Sequence, residues 1–157
     1  MGALPRCQFA IGRSGLGPPG TRKESKTLRA VDIKAELAGR PVLRGRDQDT
    51  TEAEAKGAFA VLAPFRDGSI FAGSFSGESP WERHRKGDEL VHILDGAATL
   101  TIMTDTGPQS FAMTAGMLIV VPQGHWHRFH APDGVTVLTA TPQPTDHTAA
   151  ADPRTVA

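Results

Sequence analysis

Short β-favouring runs recur at regular spacing from Gly57 onward, and this repeat limits the possible folds more than any other feature of the chain. Three pairs of runs flank an Asp-Gly dipeptide, at Asp67-Gly68, Asp95-Gly96 and Asp133-Gly134. The paired runs are GAFAVLAPF and SIFAGSFSG, ELVHIL and ATLTIMT, and HWHRFHA and VTVLTAT, with QSFAMTAG and MLIVVP before the last pair. An Asp-Gly pair between two such runs is typical of a hairpin. The pattern predicts an all-β fold, a sandwich or barrel of antiparallel strands.

The repeat occupies residues 57–142, and the segments on either side differ from it in composition. Residues 1–26, rich in Gly, Pro and Arg, are predicted to be a disordered leader. Residues 27–56 are predicted to contain one short helix, closed by Gly39 and Pro41, and then a polar connection or frayed helical turn. Residues 143–157 are rich in Pro, Ala and Thr and are predicted to be a loose tail.

Charge and cysteine content narrow the possible partners. Lysine plus arginine and aspartate plus glutamate both total 17, so the formal net charge is zero. Without a basic field a nucleic-acid partner is not expected, and a regulator with a DNA-binding helix-turn-helix is disfavoured. The single cysteine, Cys7, cannot form an intrachain disulfide, and no apolar run reaches the ~18 residues of a membrane span. We expect a soluble, cytoplasmic protein without a membrane partner.

Side-chain alternation along strands sorts the polar residues into two faces. Glu82 shares a face with His84, whereas the arginines beside them lie on the opposite face. Glu89 and His127 share faces with apolar residues that are expected to point into a core. The alternation therefore gives a short set of candidates: Glu82, His84, Glu89 and His127 as metal ligands, and Val91 and Phe129 as pocket-lining residues.

At these residues the chain resembles the cupin superfamily, in particular small single-domain cupins of the conserved-barrel type. Cupins carry a first motif G-x5-H-x-H-x4-E-x6-G and a second motif G-x5-P-x-G-x2-H-x3-N. His84, Glu89 and Gly96 match the end of the first motif, and the stretch from Gly116 to His127 matches the second motif through its His. The resemblance implies a jelly-roll barrel, also called a double-stranded β-helix, that follows the short N-terminal helix and holds a metal inside.

The chain departs from the cupin pattern at three positions. Glu82 stands where the first motif has its first His, Gly77 lies one residue too close to it, and Ala131 replaces the final Asn of the second motif. The usual set of three His and one Glu would become two imidazoles and two carboxylates. Such a set neutralises a divalent ion and favours manganese or iron, with nickel and zinc as alternatives.

Two of the candidate ligands have a second interpretation. Glu82 is either a ligand or a solvated carboxylate that pairs with the neighbouring cations. His125 is an alternative ligand to His127, although the preceding glycine is expected to hold it in a turn. If Glu82 and Glu89 both face the barrel mouth, repulsion and partial desolvation are expected to raise the apparent pKa of the pair.

Leu90, His92 and Leu94 form a mostly apolar stripe on the outward face of the strand that carries Glu89. Burial of such a stripe against a second copy predicts a homodimer.

Two classes of function stay open at this stage. In the first, an enzyme, the metal acts as a Lewis acid on an oxygen-bearing small molecule, with oxygenation, isomerisation or decarboxylation as the compatible reactions. In the second, a non-catalytic binder or sensor, the barrel holds a small ligand with a structural metal or none. The chain has no tyrosine, which disfavours the metal-dependent lyases of this fold that use a tyrosine base. The sequence does not assign catalytic residues.

Overall fold

Strands dominate the part of the chain that the computed structural model describes, residues 28–156. The predicted disordered leader, residues 1–26, lies outside the described residues. Within the described part the elements are, in chain order, α1 Ile33–Ala38, β1 Leu43–Arg46, α2 Glu52–Ala58, β2 Phe59–Phe65, β3 Gly68–Glu78, β4 Trp81–His84, β5 Glu89–Thr104, β6 Gly107–Thr114, β7 Leu118–Val121, β8 His127–Pro142 and β9 Thr145–Thr148, followed by a 3-10 turn at Pro153–Thr155.

Strand β8 is the centre of the sheet. It pairs in antiparallel fashion with β3, with β5 and, at its first residue, with β4. Strand β5 also pairs with β7 through its first half and with β6 through its second half. The strands thus form one curled sheet, and the predicted all-β jelly-roll barrel is confirmed.

Only one of the three Asp-Gly pairs closes a hairpin between consecutive strands. Phe65 pairs with Gly68 across a two-residue loop, in which Arg66 has a φ of 49°. The other two pairs lie inside β5 and β8, so the hairpins predicted there are wrong. Gly96 has a φ of 74°, and a Cβ built on it would lie 2.4 Å from the carbonyl oxygen of Gly134. These glycines let the two long strands bend together, because no side chain stands between them.

This shared bend brings the two halves of the β5–β8 pair face to face. Leu90 pairs with Ala140 at one end of the pair, and Ile102 pairs with His127 at the other end. Glu89 nevertheless lies 2.9 Å from His127, through side chains that cross the interior. The two ends of the strand pair therefore meet inside the barrel.

The main hydrophobic core fills the space between the two halves. Its fully buried members come mostly from β3, β5 and β8, and they include Phe75, Val91, Ile93, Leu100 and Val137. A smaller apolar layer lies outside the sheet, where α1 covers β2, β3 and β8. The barrel therefore has its own core, and α1 closes one outer face.

Helix α1 is the short helix that was predicted before Gly39 and Pro41. The Asp32 side chain caps it by accepting a hydrogen bond from the backbone N–H of Ala35 at 3.1 Å, and Gly39 is the C-cap. The polar segment after it contains β1, which the sequence did not predict, and α2. A capping box between Thr51 and Glu54 closes the N-terminus of α2. The predicted frayed turn is thus a capped helix of two turns.

The predicted loose tail, residues 143–157, is corrected over its first part, where Thr145–Thr148 form a strand. Strand β9 pairs with β4 from Trp81↔Thr148 to His84↔Thr145. The Asp146 carboxylate accepts hydrogen bonds from Arg83 at 2.9 and 3.1 Å. A short sequence with little apolar content forms a strand here because β4 offers an unpaired edge. None of the helices in the described part of the chain has the length and apolar character needed to cross a membrane.

Candidate metal centre

A buried carboxylate touches two buried imidazoles inside the barrel. Oε2 of Glu89 lies 2.9 Å from Nε2 of His127 and 3.3 Å from Nε2 of His84. The side chains of these three residues are at most 5% exposed. They come from the first residue of β5, the first residue of β8 and the last residue of β4. The barrel thus assembles one polar cluster from three strand ends.

The three facing atoms have no hydrogen-bond partner among the described residues. When each imidazole is neutral with its proton on Nδ1, Nε2 of His84, Oε2 of Glu89 and Nε2 of His127 are three buried acceptors in contact with one another, without a donor among the described residues. Leaving a buried polar group without a partner costs roughly 1–3 kcal/mol. Three such atoms that converge on one point are the donor set that a metal ion requires, so the residues present fit a bound cation.

The other nitrogen of each imidazole faces a hydrogen-bonding partner. Nδ1 of His127 lies 3.4 Å from the backbone carbonyl oxygen of His125, which only accepts, so Nδ1 carries the proton of the neutral ring. Nδ1 of His84 lies 3.2 Å from Oγ1 of Thr145 on β9. Such partners fix the ring orientation and leave the Nε2 lone pair free for a metal. Strand β9 therefore belongs to the site.

Glu89 is held by a chain of hydroxyl groups on β8. Oγ1 of Thr141 donates a hydrogen bond of 2.6 Å to Oε1 of Glu89. Oγ1 of Thr139 lies 2.7 Å from Oγ1 of Thr141, and because Thr141 uses its proton on Glu89, Thr139 donates in this pair. The chain occupies Oε1 and leaves Oε2 directed at the imidazoles.

The electrostatics of the cluster favour an ionised Glu89. Burial is the largest influence and raises its pKa, but the contacts with His127 and His84 outweigh burial, so the pKa lies well below the ordinary value of 4.5. For His127, burial lowers the pKa, while Glu89 and, more weakly, Glu82 raise it above the ordinary value of 6.5. The expected upward shift of the carboxylate pair is therefore wrong for Glu89, because the contacts with the two imidazoles outweigh the effect of desolvation.

Glu82 lies next to the two imidazoles. One potential ligand atom from each of Glu82, His84 and His127 falls within 4.8 Å of the other two. The Glu82 side chain is 16% exposed, and its Oε2 lies 3.8 Å from Nε2 of His147 on β9. The structure thus brings all four predicted ligands to one place, three of them buried and Glu82 at the edge of the cavity.

Two turns hold the ligand-bearing strands together. Asp88 accepts a hydrogen bond from the backbone N–H of Gln123 at 2.8 Å, and the backbone N–H of Gly124 donates to the carbonyl of His84 at 2.9 Å. These bonds join the turn between β4 and β5 to the turn before β8. His125 lies in the second turn, with Nδ1 3.3 Å from the carbonyl oxygen of Gln123, and outside the cluster.

A cavity of about 1060 Å³ opens above the cluster. Glu82 and Glu89 lie on its wall together with Phe129, whereas Val91 is buried in the core and does not line the cavity. The predicted position of Val91 is therefore corrected. The remaining wall is mixed, with apolar residues from the barrel and polar residues from α2 and β9, among them Phe59, Phe71, Phe75, Val137, Thr51 and His147.

Several residues of the site were not identified from the sequence. Thr139 and Thr141 could have been predicted to face the interior, because they continue the inward alternation of Val135 and Val137. Thr145 could not be identified in this way, since it lies in a segment without a strand pattern.

Comparisons with known proteins agree with this geometry. A family model described as a cupin domain, Cupin_2, matches residues 75–140. No curated protein matches the chain. Residues 75–140 contain all four candidate ligands, Glu82, His84, Glu89 and His127.

Several solved structures are similar to this chain at low sequence identity, and two of them share its fold with a TM-score of at least 0.50. A conserved protein of unknown function from Streptococcus pyogenes is 21% identical with a TM-score of 0.50, and the alignment covers 78% of this chain and 93% of that chain. A protein from Neisseria meningitidis is 14% identical with a TM-score of 0.53, over 76% and 100% of the two chains. A cupin-2 domain protein from Shewanella frigidimarina is 24% identical with a TM-score of 0.44, over 58% and 80%. Residues 75–140 therefore match the cupin domain, and the strands of the described chain form a β-barrel of the cupin type.

Proposed function

We propose that this cupin holds one divalent metal ion with His84, Glu89 and His127, and that it binds or acts on an oxygen-bearing small molecule in the cavity above them. One observation carries the proposal: three buried polar atoms converge without a hydrogen bond among the described residues. An ion between them would satisfy all three atoms at once.

The donor set favours a hard or borderline ion. Two imidazole nitrogens and carboxylate oxygens suit manganese or iron, with nickel and zinc as alternatives, and the set contains no thiolate. An ion bound there would supply Lewis-acid polarisation of an oxygen on the bound molecule. Oxygenation, isomerisation and decarboxylation are all compatible with that role.

The residues around the site divide the remaining tasks. Thr141 and Thr139 orient Glu89, and Phe129 lies on the cavity wall beside it. Glu82 is the more exposed carboxylate and faces the cavity, so it either completes the ligand set or accepts a proton from the bound molecule. The Glu82 variants described in the Discussion separate these two roles.

Metal analysis of protein purified without an affinity tag tests the proposal. We expect about one manganese or iron per chain in the wild type and in His130→Gln, whose imidazole lies exposed on β8. His127→Gln is expected to lose most of the metal while keeping the strand-dominated circular dichroism spectrum. Equal metal content in His127→Gln and the wild type would overturn the site.

A dioxygen-uptake assay on the metal-loaded protein then distinguishes the two classes of function. An exchangeable water on a bound redox metal, with uptake that depends on an added small molecule, indicates an oxygenating enzyme. A loaded protein without an exchangeable position indicates a binder or sensor.

A further inference from the structure

Arg46 places a buried guanidinium in the wall of the barrel cavity. It is the last residue of β1, and it is 9% exposed. Its Nε is buried without a hydrogen bond, and Arg46 forms no ion pair with any residue in the described part of the chain. Since an unpaired buried donor is costly and a buried charge more so, this side chain requires an explanation.

Strand pairing and an aromatic ring fix the position of Arg46. Strand β1 runs parallel to β3, with Arg46 opposite Gly77. A Cβ on Gly77 would lie 2.3 Å from the carbonyl oxygen of Arg46, and Gly77 has a φ of 102°. The guanidinium carbon lies 5.2 Å from the ring centroid of Phe75. Stacking on this ring covers one face of the guanidinium and leaves its edge donors free.

The other cations of the cavity wall have partners. Arg40 donates a hydrogen bond to the carbonyl of Gly57 at 3.2 Å, and Lys56 pairs with Glu52 at 2.7 Å. Within the described wall of this cavity, Arg46 is therefore the cation without a polar partner.

The chemistry around Arg46 selects one kind of ligand. A guanidinium edge binds a carboxylate through two parallel hydrogen bonds, and one cation balances one negative charge. A dianionic phosphate would add a second negative charge to a cavity that already contains Glu82 and Glu89. The aromatic and aliphatic walls next to Arg46 favour a ligand with an apolar body.

We propose that Arg46 binds the carboxylate of an organic acid, whose apolar body lies against Phe75 and its neighbours in the cavity. The role of the ligand's other end, which faces Glu82 and Glu89, rests on the proposed function. The carboxylate contact itself does not require a metal.

Calorimetric titration of the full chain, both as purified and after chelation, tests the assignment. The probes are acetate, hexanoate and phenylacetate, with phenylacetamide as a neutral counterpart and phenyl phosphate as a dianion. The variants are Arg46→Gln, Arg46→Lys and, as a matched control, Arg44→Gln, which removes an exposed arginine from the same strand.

We expect phenylacetate and hexanoate to bind the wild type and Arg44→Gln equally. Arg46→Gln is expected to lose about tenfold or more in affinity, the amount that a hydrogen bond to a charged group contributes, and Arg46→Lys to lose less. Melting temperatures without ligand identify any variant that does not fold correctly. If Arg46→Gln is such a variant, the affinity of Arg46→Lys is compared with that of the wild type instead.

Several results would overturn the inference: no saturable carboxylate binding at millimolar concentration, equal binding of phenylacetamide, tighter binding of phenyl phosphate, or unchanged affinity in Arg46→Gln. If the chain binds carboxylates but never binds a metal, the assignment of Arg46 as the carboxylate-binding residue is supported and the proposed metal function is contradicted. If the chain binds a metal but no carboxylate, the proposed metal site is supported and the assignment of Arg46 is contradicted.

Discussion

Nε2 of His127 and Oε2 of Glu89 lie 2.9 Å apart, although the two residues begin different strands. The contact depresses the pKa of Glu89 and raises that of His127, against the effect of burial on each group. Below the raised pKa of His127, the metal-free pair is therefore a carboxylate and an imidazolium. In the metal-bound protein the same imidazole must be neutral.

We expect the metal-free and metal-loaded proteins to respond to pH in opposite ways. The contribution of Glu89 to the free energy of unfolding is present above its ordinary pKa of 4.5 and is lost as pH falls through the depressed pKa. The contribution of His127 to the free energy of unfolding is present below its ordinary pKa of 6.5 and is lost as pH rises through the raised pKa. The chelated protein should therefore be most stable between these two ordinary values, whereas stabilisation by manganese should grow as pH rises.

Thermal unfolding of chelated and manganese-loaded protein from pH 4 to pH 9 checks this prediction. Glu89→Gln serves as the control, because it removes the charge that raises the pKa of His127 and should abolish the mildly acidic maximum. A chelated wild type that gains stability steadily up to pH 9 would contradict it.

Glu82→Gln should weaken metal binding without unfolding the barrel, because Glu82 lies at the edge of the cluster. Glu82→His restores the usual cupin ligand set and should shift preference toward nickel and zinc. Glu78→Gln, which removes a carboxylate paired with Arg128 on the surface, is the matched control. Titration with manganese, iron(II), nickel and zinc measures the effect. Wild-type affinity in Glu82→Gln would assign Glu82 to proton transfer or to the surface, with the metal held by the other three residues.

Phe75→Ala should lower the free energy of unfolding by about 3–5 kcal/mol, because it empties a site at the centre of the core. Phe75 is 1% exposed, and its ring lies 6.0 Å from that of Phe59 and 5.6 Å from that of Phe129. Phe111→Ala, at a position that is 38% exposed, should cost far less. Chemical denaturation of both variants tests the contrast, and equal losses would be inconsistent with this core.

Asp146→Asn should loosen β9 by a small amount, below about 1 kcal/mol, because the ion pairs are partly exposed. Hydrogen bonds from Arg85 and Arg83 hold the pKa of Asp146 below its ordinary value of 3.8. The stabilisation is therefore present above that ordinary value and is lost as pH falls through the depressed one. The difference between wild type and variant in denaturation midpoint should vanish at sufficiently low pH. A difference that persists in strong acid would mean that charge is not its cause.

The predicted homodimer can be tested on the outer face of β5. Leu90, His92 and Leu94 are half-buried there, and Leu118 and Val120 on the adjacent β7 are 60% and 49% exposed. We expect sedimentation to show a dimer at micromolar concentration and Leu118→Glu to shift it toward monomer. A wild type that sediments only as monomer would contradict the prediction.

The barrel could be predicted from the sequence because its signals are local. Alternation within single strands placed His84, Glu89 and His127 on inward faces, and the structure brings them together. The same local rule did not distinguish a hairpin from a bend. Asp95-Gly96 and Asp133-Gly134 resemble hairpin turns in isolation, and only their mutual contact across two strands makes them bends.

The features that could not be predicted depend on partners that are distant in sequence. Thr145 reaches His84 because β9 fills the free edge of β4. Arg46 reaches the cavity because Gly77, 31 positions later, leaves room for β1. Neither segment has the alternation or the turn chemistry from which a strand is inferred.

The bend at Gly96 and Gly134 gives the barrel a common hinge. Strands β5 and β8 stay paired on both sides of it, so one half of the pair cannot swing outward without carrying both strands. Any widening of the barrel at this corner separates Glu89 from His127, because these residues stand on opposite halves. An ion bound between them would oppose this widening. Metal binding is therefore expected to make this corner of the barrel more rigid.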